Sequence, residues 1–81
     1  MSIRETILQE IARVATAQNA ALPPLTDDLP LVDSGMDSLF FAVLVSRLED
    51  AIGADPFATA KASDFPRTIG ELIVFYERVN A

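Results

Sequence analysis

Cysteine, histidine and tryptophan are all missing from this 81-residue chain, and the first two absences each close off a class of chemistry. Without cysteine there is no disulfide, no thiolate nucleophile and no thiolate metal site, and a reducing compartment poses no difficulty. Without histidine there is no imidazole base to activate a serine and none of the usual zinc ligand sets. Lys61 is the sole lysine. The longest apolar run, Leu39 to Val45, is far too short to cross a bilayer, and the mixed charges of Met1 to Gln18 lack the basic start and apolar core of a signal peptide. The expectation is a soluble cytoplasmic protein. With 51% hydrophobic residues, the chain has enough apolar material for one small domain spanning residues 1–81.

Basic residues are also scarce, six against twelve acids, for a formal net charge of −6. Their placement is uneven. Asp27, Asp28, Asp33, Asp37, Glu49, Asp50 and Asp55 face only Arg47 in the central segment, while acids and bases balance in the rest. A field of this sign repels nucleic acid and anionic membranes and steers partners with basic patches. The same charge read alone is a solvated, solubilising surface.

Helical periodicity dominates what is present. Ser2 and Glu5 have capping-box spacing, and Ile3, Ile7, Ile11 and Val14 recur on one face, widened by Leu8 and Ala15, which predicts a first helix over Ser2–Gln18. Asn19 to Met36 contains Pro23, Pro24 and Pro30 and no sustained period, so it reads as a long loop, with Leu22, Leu25, Leu29, Leu31 and Val32 available as anchors. A second helix is expected from Ser38 to just before Gly53, a C-cap followed by Pro56. Phe41, Leu44, Val45, Leu48 and Ile52 share a helical face, which puts Phe40, Val43, Arg47 and Asp50 on the opposite one. Phe40 and Val43 then read either as an exposed contact surface or as packing under the first loop. Ala58 to Phe65 allows a short third helix closed by Pro66. Thr68 and Glu71 open a last helix with the core stripe Ile69, Leu72, Ile73, Tyr76 and Val79, where Tyr76 and Phe75 read as packing residues. The fold expected is all-α: a small bundle of three longer helices and one short helix, with a long first loop.

The run Asp33, Ser34, Gly35, Met36, Asp37, Ser38, Leu39 carries the chemistry. It sets a serine hydroxyl at the mouth of an apolar helix, where free backbone N–H groups and the positive end of the helix dipole favour an anion. Unmodified, Ser38 would serve as a helix cap. Autonomous hydrolysis lacks a base, the carboxylates Asp33 and Asp37 have no cleft around them, and the spacing of Asp33, Gly35 and Asp37 fails the calcium-loop pattern. No catalytic and no metal-binding residue is assigned. A covalent attachment point remains, beside a second reading in which an unmodified helical adaptor binds a partner through Phe40, Val43 and the acidic rim.

Leu31 to Leu39 resembles the attachment motif of acyl and peptidyl carrier proteins. Leu44, Leu48, Glu49, Ile52 and Gly53 resemble that family's second helix and its ending, and Thr68, Ile69 and Leu72 the start of its last helix. The resemblance implies that Ser38 receives a 4'-phosphopantetheine arm from coenzyme A. It also implies that Asp37 and Leu39 present the serine to a phosphopantetheinyl transferase and that the second helix docks partners, with Phe40, Val43, Arg47, Glu49 and Asp50 as the candidate partner-binding residues. The arm's thiol would carry acyl groups as thioesters, which lets a cysteine-free chain hold thioester cargo while partner enzymes supply catalysis. Fatty-acid carriers show acids where Phe40 and Val43 stand here, and Arg47 interrupts that face. This departure implies a specialised, polyketide-like or other secondary pathway served by a dedicated loading ligase or acyltransferase. The motif also fits aminoacyl carriers. A monomer, with no nucleic-acid or membrane partner, is expected.

Overall fold

The computed structural model describes residues 2–79. Its first helix, α1 (Ile3–Ala17), starts on the expected capping box: the Ser2 hydroxyl accepts from the Glu5 N–H at 3.1 Å and the Glu5 carboxylate accepts from the Ser2 N–H at 3.3 Å. Its end is equally defined. Asn19 takes a left-handed conformation (φ 53°), its N–H reaches Thr16 O at 3.2 Å, and the Ala20 N–H reaches Ala15 O at 2.8 Å. That double bond around a left-handed residue is a Schellman closure with asparagine in the role glycine usually fills.

Two further helices follow, α2 (Ser38–Ile52) and α3 (Ile69–Val79). Gly53 ends α2 at φ 82°, donating to Glu49 O at 2.8 Å, as its position in the sequence predicts. The expected short helix takes the form of two separate 3-10 turns, Pro56–Ala58 and Ala62–Asp64. Asp55 caps the first of these with a 3.1 Å bond from the Phe57 N–H, and neither turn is long enough to propagate an α-helical ladder.

The core is built from one stripe of each helix: Ile7, Ile11 and Val14 of α1, Phe40, Leu44 and Leu48 of α2, and Ile69, Leu72, Ile73 and Tyr76 of α3. At about 1.5–3 kcal/mol for each fully buried large apolar side chain, this cluster is the main stabilising term of a chain without cross-links. Some residues differ from the sequence expectation. Phe40, assigned above to the partner-facing side, is 1% exposed, so the buried face of α2 is turned toward Phe40 and away from Val45. Apolar residues surround much of α2, and packing against α1 and α3 selects which part of that wide stripe is covered. Val79, assigned to the core stripe, is 49% exposed on the last described turn of α3.

The first loop is pinned rather than free. The opening N–H groups of α3 turn back to it, Ile69 to Leu29 O at 3.0 Å and Gly70 to Asp27 O at 2.8 Å, while the Leu31 N–H donates to Arg67 O at 2.8 Å. Those loop carbonyls satisfy donors that a helix start leaves orphaned. Arg4 grips the same loop from α1 with two bonds to the Asp27 carboxylate, 2.7 and 2.8 Å, and holds that carboxyl below its ordinary range. Leu22, Leu25, Leu29 and Leu31 pack partly against the core. Val32 does not: it is 92% exposed, a correction to its reading as an anchor, because the 3-10 turn Leu31–Asp33 swings it outward.

Candidate functional site at the mouth of the second helix

A chain of short-range bonds leads into α2. After the 3-10 turn, Ser34 is fully buried, its hydroxyl donating to Leu31 O at 2.6 Å and accepting from the Met36 N–H at 3.3 Å. Gly35 then takes φ 82°, a conformation that side-chain-bearing residues rarely adopt, and reverses the chain. Asp37 follows in extended geometry as the N-cap, its Oδ1 accepting from the Phe40 N–H at 2.8 Å.

Asp37 performs the capping, which frees Ser38 from that task. The sequence reading made an unmodified Ser38 the cap. In the structure Ser38 is instead the first helical residue, exposed. A carboxylate outcompetes a hydroxyl here because it brings charge to the positive helix end as well as an acceptor. The Phe41 N–H goes to Asp37 O at 2.9 Å, so the N–H groups of Ser38 and Leu39 are those left at the helix mouth.

Beside Ser38 lies an apolar groove of about 470 Å³, with Leu31, Met36, Phe41, Phe57 and Phe65 among its walls. Phe57 organises the aromatic part: its ring stands edge-on to Phe41 at 5.6 Å and to Phe65 at 5.2 Å, and tilted against Phe75 at 4.8 Å. Edge-to-face contacts of this kind are directional and fix ring orientation.

The remaining candidates separate. Asp37, Ser38 and Leu39 share one turn, Leu39 being 66% exposed. Glu49 and Asp50 are exposed near the other end of α2. Val43 is half-buried against the core, and Arg47, though exposed, is tied by a 2.7 Å bond to Glu10 of α1. Phe40 belongs to the interior and is no surface residue. Sequence reasoning missed Ser34, whose place two residues before Met36 and three after Leu31 is a serine-turn signal, and it missed Phe57, for which no local signal exists. Among the described residues no three acidic side chains converge as metal ligands would.

Residues 5–65 match the family model for the phosphopantetheine attachment site. The fold matches the solution structure of MacpD, an acyl carrier protein from Pseudomonas fluorescens involved in mupirocin biosynthesis, with TM-score 0.79 and 32% identity over 98% of this chain and 71% of that one. This chain belongs to the phosphopantetheine-binding acyl carrier protein family. No curated protein matches it significantly.

The covalent group of the family is 4'-phosphopantetheine, and the geometry of this acyl carrier suits it. An exposed hydroxyl, two spare N–H groups at a positive helix end, and an adjoining apolar groove meet the needs of a phosphodiester bearing a long, partly apolar arm. None of the helices described is long and apolar enough to cross a membrane.

Proposed function

We propose that Ser38 is the attachment residue and that the chain is a carrier of acyl groups in a specialised, polyketide-like pathway. The observation that carries this reading is the division of labour at the helix mouth: Asp37 caps α2, and Ser38 stands exposed beside spare backbone donors with nothing else to do. When bound, the arm supplies a thiol that carries acyl groups as thioesters. The backbone N–H groups of Ser38 and Leu39 would hold the phosphate oxygens, Asp37 would keep the helix mouth in register, and Leu31, Met36, Phe41 and Phe57 would shelter an apolar cargo from water.

The partners in this reading are a phosphopantetheinyl transferase, a loading ligase or acyltransferase, and the enzymes that consume the cargo. Val32 and Leu39 flank Ser38 with exposed apolar surface, and Glu49 and Asp50 supply exposed negative charge farther along α2. A partner with basic and apolar contacts fits that pattern. The chain itself acts as carrier and not as catalyst, in the cytoplasm, as a single domain and a monomer. The relation to a mupirocin-pathway carrier supports assignment to secondary metabolism. The adaptor reading loses its anchor because Phe40 is interior.

Intact-mass measurement after incubation with coenzyme A and a broad-specificity phosphopantetheinyl transferase tests the proposal. The expected result is gain of one phosphopantetheinyl group by the wild type and none by a folded Ser38→Ala variant. No gain by unmodified, folded wild type, or an equal gain by the variant, overturns it.

A further inference from the structure

One side of α3 is left uncovered. Ile69, Leu72, Ile73 and Tyr76 face the core, while Glu71, Phe75, Arg78 and Val79, spaced i, i+4, i+7 and i+8, form a ridge along the outer side. Opposite this ridge stand the two 3-10 turns, Pro56–Ala58 and Ala62–Asp64, too short to close over it. The cleft between them has a volume of about 710 Å³, with apolar surface from Pro56, Phe65 and Phe75. The Phe57 ring, 4.8 Å away, holds Phe75 in place. Phe65 is the residue that this cleft shares with the groove at Ser38; Ser38 itself is not among its walls.

Charge marks the cleft off from the rest of the surface. The net charge of −6 lies entirely before Lys61, where nine acids face three bases; from Lys61 onward there are three of each. The three earlier bases are all matched within the molecule: Arg4 holds Asp27 at 2.7 Å, and Arg13 and Arg47 hold Glu10 at 2.8 and 2.7 Å. Among the described residues, Lys61, Arg67 and Arg78 have no carboxylate within ion-pair distance. Arg67 and Arg78 line the cleft, and Lys61 directly precedes the turn Ala62–Asp64 in its wall. Asp64 and Glu71 line it too, but the Glu71 carboxylate is engaged at the start of α3, accepting from the Arg67 N–H at 3.3 Å. Arginine beside aromatic rings is the composition of interface centres, and a guanidinium binds a carboxylate in a fixed, two-pronged geometry.

We infer that this cleft docks an acidic, amphipathic peptide segment of a partner protein, with its carboxylates on Arg67 and Arg78 and its aliphatic or aromatic side chains on Phe65 and Phe75. The acidic surface before Lys61 repels such a segment, since its cations are already matched. The site is therefore the reverse of the surface around Ser38, which fits basic partners. On the carrier reading, a partner seated here grips the chain and leaves Ser38 uncovered, so that holding and delivery use different faces.

The experiment selects displayed short random peptides for binding to the full chain, with the double variant Arg67→Gln/Arg78→Gln as counter-selection. Both substitutions fall on exposed side chains outside any ion pair, so the variant should melt as the wild type does. Enriched peptides, made synthetically, should carry Asp or Glu beside Leu, Phe or Trp, bind the double variant about tenfold or more weakly, and lose affinity as salt rises. They should shift the amide resonances of residues 63–67 and 75–79. Val79→Ser, at an exposed position on the ridge, should weaken binding by a smaller factor with the charges intact. Peptides rich in Lys or Arg, equal affinity for the double variant, shifts centred on Val32 and Leu39, or no enrichment at all would each overturn the inference. Self-association of the chain that the double variant abolishes would assign the face to a second copy and overturn it as well. Phosphopantetheine transfer to Ser38 should proceed at the same rate with peptide bound. Transfer blocked only by peptide contradicts the separation of faces, whereas transfer that fails with and without peptide refutes the carrier reading and leaves the docking site standing.

Discussion

Arg47 of α2 donates from Nε to Glu10 of α1 at 2.7 Å, and the Glu10 carboxylate, 5% exposed as a residue, also receives Arg13 at 2.8 Å. Burying a carboxylate to that depth is costly unless it is paired, and here both guanidinium groups reach it. Arg47 is therefore a tie between helices, and its charge is already matched within the molecule.

Glu10→Gln and Arg47→Gln should each destabilise the fold, and the double variant should lose less than the sum. A coupling of about 1–2 kcal/mol is expected for a partly buried charged hydrogen bond. Urea unfolding of the four proteins measures it. Strict additivity would mean that the pair contributes nothing between the helices.

Phe40→Ala should cost about 3–5 kcal/mol, the usual range for emptying a buried aromatic site. Leu39→Ala, one residue away and largely exposed, should change stability by less than about 0.5 kcal/mol. Comparing their unfolding midpoints tests the corrected phase of α2 directly; a mild effect at Phe40 would return it to the surface.

Gly70 sits where α3 meets the first loop. A Cβ there would lie 2.9 Å from Asp27 O and 3.0 Å from Asp27 Cβ, both parts of a loop held by Arg4. Gly to Ala inside a helix ordinarily stabilises by about 1 kcal/mol. Here Gly70→Ala should instead destabilise by about 1–3 kcal/mol through overpacking, and hydrogen exchange should rise at the Ile69 and Gly70 amides.

Burial, reinforced by Asp55 and Glu49, pushes the Tyr76 hydroxyl up to about 12. In the unfolded chain it ionises near ~10. Between those values the unfolded state has released a proton that the native state keeps, so the contribution is intact below about pH 10 and is lost as pH rises toward about 12. Alkaline denaturation of wild type should be steeper in that interval than that of Tyr76→Phe. The ultraviolet titration of the single tyrosine should show the raised midpoint in the folded protein.

Much of this protein was legible along the chain because the signals are local. A capping box needs two residues three apart, and Ser2 with Glu5 forms one. At Thr68 the first half holds, the Glu71 N–H donating to the Thr68 hydroxyl at 3.1 Å, while the Glu71 carboxylate reaches one residue further back, to the Arg67 N–H at 3.3 Å. Gly53 ends α2, and the Asp37–Ser38–Leu39 turn lies at the helix mouth where the motif puts it. These features depend on backbone geometry within one or two turns, which the order of residues specifies.

Tertiary structure decided whatever depended on which surfaces meet. The apolar girth of α2 left its buried side open until α1 and α3 covered Phe40 and exposed Leu39. Glu10 looks solvated in sequence and is buried in space, because its two cations come from one turn along α1 and from another helix 37 residues away. Phe57 gathers Phe41, Phe65, Phe75 and Tyr76 from three distant segments, and the orphan hydroxyl of Tyr76 exists only once they surround it. The sequence by itself determined the three longer helices, the caps at Ser2 and Gly53 and the place of Ser38 at the mouth of α2, all set by short-range hydrogen bonding. The groove, the buried charge and the unpaired hydroxyl arise from packing between segments remote in the chain, which no local pattern encodes.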